Sequence, residues 1–167
     1  MGARGSVNVR PLHDDERDWM REVIRERWGS EVIVGRGHVH LVDALPALVA
    51  FDREERVGLL VYRLDPDLAE IITLDALRER VGVARALIEA MAARARDTGA
   101  ARLLVMTTND NLRALRLYQR AGFRIVEVRP GAVDQARASK PSIPLLGHDE
   151  IPIRDEIDLV RELAVER

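Results

Sequence analysis

The 167-residue chain has no cysteine, a single lysine (Lys140) and only two Trp, two Tyr and two Phe. Without thiols it can form no disulfide, thiolate nucleophile or cysteine-ligated metal site, a composition that suits a reducing, cytoplasmic setting. Lys140 is followed by Pro141, so there is no Gly-Lys-Ser/Thr phosphate loop and little scope for Schiff-base chemistry. No apolar run reaches the ~20 residues of a membrane helix, and the start of the chain lacks the apolar segment of a secretory signal. Met1-Gly2-Ala3-Arg4-Gly5-Ser6 fits the short myristoylation pattern. A single acyl chain attaches a protein only marginally, so the expectation is a flexible start and no membrane partner. Charge of one sign is also missing. With 26 Lys plus Arg against 28 Asp plus Glu, the net charge of -2 gives no overall reason to bind nucleic acid.

Hydrophobic residues make up 47% and charged residues 32% of the chain, the balance of a globular domain. The length suits one domain over residues 1–167 with a single buried core. Val7 to Arg10 alternates apolar with polar and reads as a first strand. Asp14 or Asp15 can cap a helix carrying Trp19, Met20, Val23 and Ile24 at helical spacing through Trp28, with Gly29 as its stop. Residues 31–46, with Gly35 and Gly37, hold several strand fragments and no clear period. Ala47 to Phe51 and Val57 to Leu64 flank the polar turn Asp52-Arg53-Glu54-Glu55, and Ala69 to Leu77 supplies a third strand of a meander.

The period then changes. From Gly82 to Thr98, Ala84, Leu87, Ile88, Met91 and Ala95 form one helical stripe that Gly99 ends. Strand Arg102 to Thr107, a helix from Asn111 to Ala121 and strand Phe123 to Val128 follow. Strand, helix, strand, helix, strand in about sixty residues requires parallel pairing of at least two strands. Gly131 to Lys140 suits a short helix or Ω-type loop, and Pro141, Pro144 and Pro152 keep the next segment irregular. Beyond Asp155, Ile157, Leu159 and Leu163 fit an edge strand, while Val160 and Leu163 also fit a terminal helix.

Chemistry is concentrated at two places. A strand that enters a glycine-bearing turn and then a helix offers free N–H groups at the positive helix end, a site for phosphates. Arg80-Val81-Gly82-Val83-Ala84 stands at such a junction with Arg78 and Arg85 beside it, although Gly82 could equally just begin a helix with solvated arginines. The second place is Asn111-Leu-Arg-Ala114-Leu-Arg-Leu-Tyr118-Gln-Arg-Ala-Gly122-Phe123. This resembles the Asn-x-x-Ala-x-x-x-Tyr-x-x-x-Gly-Phe signature of GNAT acetyltransferases, at the expected distance after the glycine turn; the likeness runs from Ala47 to Val128.

The resemblance implies a GNAT fold of the α/β (α+β) class: a mixed, mostly antiparallel sheet of six or seven strands with flanking helices. Its central strands splay where the strand ending at Leu77 leaves the one ending at Thr107. It implies N-acetyl transfer from acetyl-CoA to a primary amine of a small molecule or protein, with no metal. The pantetheine arm would pair with the backbone of Leu74, Asp75 and Ala76, and the pyrophosphate would rest on Arg80, Val81, Gly82, Val83, Ala84 and Arg85. Glu79 departs from the Gln or Arg the family usually has three residues before the glycine. By the same resemblance Glu70 would be general base, directly or through a water, and Tyr118 would protonate the leaving thiolate. The residues alone also leave open a solvent-facing Glu70 on its strand and a Tyr118 packed on the core face. Asn111 would cap its helix, bond the CoA arm, or both.

His38-x-His40 is a weak metal pair without carboxylate support. His148-Asp149-Glu150 and Arg154-Asp155 would line the acceptor site or form a solvated loop. Two other functions fit part of this pattern: a catalytically silent CoA-binding sensor or interaction module, and an unrelated nucleotide-binding α/β protein. The latter lacks a full Gly-x-Gly-x-x-Gly. The acceptor and the oligomeric state, a homodimer included, are not legible.

Overall fold

The chain folds, in a computed structural model, around one seven-stranded sheet; the residues described are 6–79 and 82–164. Arg80 and Val81 of the expected phosphate turn, and the Met1 to Gly5 acylation pattern, lie outside the described residues. The elements in order are β1 (Val7–Pro11), α1 (Arg17–Trp28), β2 (Val32–Gly35), β3 (His38–Leu41), β4 (Ala47–Asp52), β5 (Glu55–Leu64), β6 (Leu68–Ala76), α2 (Val83–Asp97), β7 (Arg102–Thr108), α3 (Leu112–Arg120), β8 (Arg124–Arg129), α4 (Ala132–Ser139) and β9 (Glu156–Glu162). The sheet order is β1-β4-β5-β6-β7-β9-β8, antiparallel throughout except for the parallel pair β6 and β7. β2 and β3 form a separate two-stranded hairpin. This is the mixed, mostly antiparallel sheet with flanking helices that the motifs imply.

Two apolar layers sandwich the sheet. On one face α2 lays Leu87, Ile88, Met91 and Ala95 against Leu48, Leu60, Tyr62 and Ile71. On the other, Met20, Val23 and Ile24 of α1 meet Val49, Leu59 and Val61. β5 feeds both layers, Leu60 and Tyr62 toward α2 and Leu59 and Val61 toward α1, so its whole middle is apolar. α2 can approach β5 because Gly58 has no side chain: a Cβ there would stand 2.7 Å from Val83 Cγ1 and 2.9 Å from Leu87 Cδ1. That contact sets how close the start of α2 lies to the sheet.

Two expectations change. The strand beyond Asp155 is not at an edge: β9 inserts between β7 and β8 and leaves β8 outermost. Segment 31–46, which had no clear period, is the β2–β3 hairpin followed by a short turn that buries Val42. Its tip is a tight turn in which Arg36 (φ 53°) and Gly37 (φ 75°) both adopt positive φ, the geometry that suits a two-residue hairpin loop.

The feature that positions the site is a fork. β6 pairs with β7 only from Leu68 to Ile71, and beyond that point the ladder between them stops although both strands continue. On the β5 side the register jumps from Tyr62↔Ile71 to Val61↔Thr73, so Ile72 is an extra residue, a β-bulge. A bulge bends its strand and increases its twist. Here it turns β6 away from β7.

Replacing Gly58 by Val should force α2 off the sheet. We expect a loss of about 1–3 kcal/mol in chemical denaturation, the usual cost of overpacking; a neutral effect would contradict the close α2–β5 contact.

Candidate active site

Past Ile71, the backbone N–H and C=O groups that β6 turns toward the fork have no partner on β7. Leu74, Asp75 and Ala76 occupy this stretch. Unpaired backbone groups demand a partner, which an extended ligand can supply. The open end of the fork leads to the start of α2, where Gly82 is exposed with φ 114° and a Cβ at that position would meet nothing within 4 Å. Val83, Ala84 and Arg85 form the first turn of α2, with no acidic residue among them, and Arg85 is exposed. An N-terminal turn of this kind accepts an anion. Glu79 points to solvent and lies 3.6 Å from Arg113, while Arg78 is ion-paired with Glu55.

The bulge reassigns faces. In a regular strand Glu70 and Asp75, five residues apart, would point to opposite sides. With Ile72 inserted, Glu70 pairs opposite Arg63, Thr73 opposite Val61 and Asp75 opposite Leu59, which places all three on the α1 face. Glu70 is therefore not a solvent-facing residue: it is 4% exposed. Its Oε1 accepts from Arg36 Nη1 at 3.3 Å, and its Oε2, buried without a hydrogen bond, lies 3.4 Å from Arg63 Nη2. Asp75 is likewise buried, and Trp28 Nε1 donates to both of its carboxylate oxygens at 3.1 Å. Burial pushes the Asp75 carboxyl up to about 6, against the smaller opposing pull of the Trp28 N–H and of Arg27.

Tyr118 lies on the opposite face of the sheet from Glu70 and Asp75. It is buried on α3 among the α2-side core, its ring 5.6 Å from that of Phe123 in a tilted pair. Burial first, and then the negative charge of Asp75, push the phenol up from its ordinary value, so it remains protonated. Asn111 caps α3, its Oδ1 accepting from the Ala114 N–H at 3.1 Å. The signature Asn and Tyr thus set the helix start and the side chain it delivers.

At the base of the fork is a cavity of about 20 Å³, room for one water molecule, lined by Ile33, Gly35, Arg36, His40, Glu70, Ile71, Ile72 and Met106. The β2–β3 hairpin forms one of its walls. Gly35 lets the end of Met106 lie close, since a Cβ there would stand 2.3 Å from Met106 Cε and oblige that side chain to move. His40 is buried and its imidazole is held below its ordinary pKa, chiefly by burial. Arg36 donates from Nε to Asp158 at 2.9 Å and from its backbone N–H to Glu156 at 3.1 Å, and Arg129 binds both of those carboxylates. Arg36, His40, Trp28, Glu156 and Asp158 were not legible as site residues, because their link to Glu70 and Asp75 runs through a hairpin and a crossover that periodicity does not reveal. His148-Asp149-Glu150 is fastened to the β7–α3 loop by the His148 N–H to Asp110 at 3.0 Å. His38 is exposed while His40 is buried, and their ring centroids lie 6.2 Å apart. The one grouping of metal-type side chains found among the described residues, His13, Asp15 and Glu16, lies elsewhere, and Glu16 is already bound by Arg10 and Arg56.

The parted strands, a helix start free of acidic residues and a buried phenol are the features that this region brings together in the chain. Residues 9–123 match the family model for the acetyltransferase (GNAT) family. The chain is 36% identical to the Bacillus subtilis protein YxbD over 94% of its own length and 99% of that protein's, and 31% identical to Bacillus subtilis YdhI over 88% and 92%. The chain belongs to the GNAT acetyltransferase family. Its fold is shared with a Bacillus cereus protein described as an IAA acetyltransferase (TM-score 0.75, 22% identity, 95% of this chain and 100% of that one). It is shared too with a GNAT acetyltransferase from Elizabethkingia anophelis whose structure holds acetyl-CoA (TM-score 0.70, 18% identity, 96% and 100%).

The raised Asp75 value has a thermodynamic consequence. The folded chain keeps this proton to about pH 6 whereas the unfolded chain releases it near pH 4, so Asp75 costs stability as pH rises through that window. Asp75→Asn should therefore be more stable than the parent at pH 7.5 by on the order of 1–3 kcal/mol. Denaturant melts should show the difference shrinking toward zero near pH 4; a pH-independent difference would contradict the assignment.

Proposed function

We propose that this single-domain acetyltransferase is an N-acetyltransferase that moves an acetyl group from acetyl-CoA to a primary amine. The observation that carries the reading is the parting of β6 and β7 beside the first turn of α2. Acetyl-CoA bound to the Elizabethkingia anophelis neighbour supports the same ligand here. The donor fits the residues present: an extended arm would find the backbone groups that Leu74, Asp75 and Ala76 leave free on the β7 side, and a diphosphate the N–H groups of Gly82, Val83, Ala84 and Arg85. When bound, acetyl-CoA supplies an activated acetyl thioester.

The chain's own groups supply the rest. A backbone N–H of β6 near Leu74 serves as donor to the acetyl oxygen as charge develops on it. An aliphatic amine of pKa ~10 arrives protonated, so a base is required. Glu70 takes that role, directly or through the single water for which the cavity has room. His40, kept neutral by burial, stands in the same cavity as a further proton acceptor. Tyr118, protonated because burial and Asp75 hold its proton on, donates it from Oη to the departing thiolate.

A thiol-release assay with acetyl-CoA against a panel of primary amines tests this. Tyr118→Phe and Glu70→Gln should each lower kcat by about 100-fold or more, the usual contribution of general acid–base groups, while CoA still raises the Tm of both variants. Absence of any CoA-dependent stabilisation in the parent protein would overturn the reading, as would unaltered turnover in both variants.

A further inference from the structure

The tip of the β2–β3 hairpin inserts one charged side chain into the base of the fork. Arg36 meets Glu70 at 3.3 Å and Asp158 at 2.9 Å through its guanidinium, and Glu156 through its amide. All three carboxylates are buried, at 4%, 1% and 3% exposure. Without the Arg36 side chain they would face only two guanidiniums: Arg129, engaged with Glu156 and Asp158, and Arg63, which also binds Asp65 at 2.9 Å. A buried carboxylate short of a cation is costly, so this slot needs one more positive charge. A second observation points the same way. Glu70 Oε2 is buried without a hydrogen bond at the cavity that Ile71, Ile72 and Met106 line with apolar surface.

The cation now in the slot is well placed to leave. Arg36 belongs to a hairpin outside the main sheet, and its side chain is 24% exposed, so its guanidinium has a path to water. Resting on the acetyltransferase reading, we propose that the slot filled by Arg36 receives the positively charged group of the acceptor. The acceptor then enters as an aliphatic ammonium or a guanidinium-bearing amine, and Arg36 swings out as it does. An arylamine, neutral at pH 7, would leave Glu70 and Asp158 short of a partner once Arg36 had withdrawn. An acceptor bearing a carboxylate beside its amine would be repelled by the same groups. Arg36 is thus a specificity-determining residue that competes with the acceptor, and it takes no part in moving the acetyl group.

The test uses methylguanidinium and n-butylammonium as cationic probes and aniline as the neutral one. Binding is followed by NMR titration to the full-length parent, Arg36→Ala, Arg36→Gln and the double variant Arg36→Ala/Asp158→Asn. Both cations should bind Arg36→Ala at least about tenfold more tightly than the parent, aniline should show no such gain, and the double variant should lose it. In the thiol-release assay Arg36→Ala should lower KM for an accepted aliphatic amine and leave KM for acetyl-CoA unchanged, a split that a purely structural arginine would not produce. Equal cation binding by parent and Arg36→Ala, or a KM for the amine that rises in both Arg36 variants, would overturn the proposal. The CoA-induced shift in Tm, recorded for each protein, reports folding and donor binding separately. Its loss in the parent alone would sink the acetyltransferase reading, whereas its retention with no gain in cation binding would sink only the slot.

Discussion

At Ile72 strand β6 gains one residue relative to β5 and stops pairing with β7, and most of what the molecule can do follows from that bulge. Pairing to Ile71 keeps the two strands registered, so the fork has a fixed base. Beyond it, the backbone of Leu74 to Ala76 stays paired with β5 but has no partner on the β7 side. The same inserted residue resets the alternation of side chains. It carries Glu70, Thr73 and Asp75 to one face and leaves Ile71, Leu74 and Ala76 on the other. Backbone opening and carboxylate placement are thus two results of one local irregularity, held in place by the apolar layers of α1 and α2.

Around the fork the charges are arranged by burial as much as by pairing. Asp75, with an indole N–H as its hydrogen-bond donor, titrates high because burial outweighs that donor. Tyr118 keeps its proton chiefly because it is buried, with the charge of Asp75 adding to the effect. Glu70, by contrast, lies between two guanidiniums, one from the neighbouring strand and one from a hairpin that is not part of the sheet. In the proposed reaction, Tyr118 as acid and Glu70 as base would thus be set up by different physics on the two faces of the sheet, the division that acid–base chemistry on a thioester and an amine requires.

Much of this was legible in the chain and some was not, for identifiable reasons. α2 and α3 could be read because Leu87, Ile88, Met91 and Ala95 repeat at helical spacing and because Asn111 and Gly122-Phe123 bracket Tyr118. The meander was legible because β4 and β5 are joined by a short polar turn. The bulge was not, since an extra residue in a strand leaves no mark on composition, and without it Glu70 and Asp75 fall on opposite faces. β9 looked like an edge because Glu156 and Asp158 occupy inward positions and are balanced by Arg36 and Arg129, which are distant in sequence. The β2–β3 hairpin was hidden by its four-residue strands and its Gly-Arg-Gly turn, although it brings Arg36 and His40 to the site.

The account stands on β6 offering its backbone to a ligand inside the fork. The most direct measurement is the amide NMR spectrum of the protein titrated with CoA, combined with hydrogen exchange in the bound state. The amides of Leu74, Asp75 and Ala76, together with those of Val83, Ala84 and Arg85, should shift in a saturable manner, and those that face the gap should gain protection. Amides of β6 that neither shift nor gain protection while CoA binds would contradict it, since the ligand would then be lodged elsewhere.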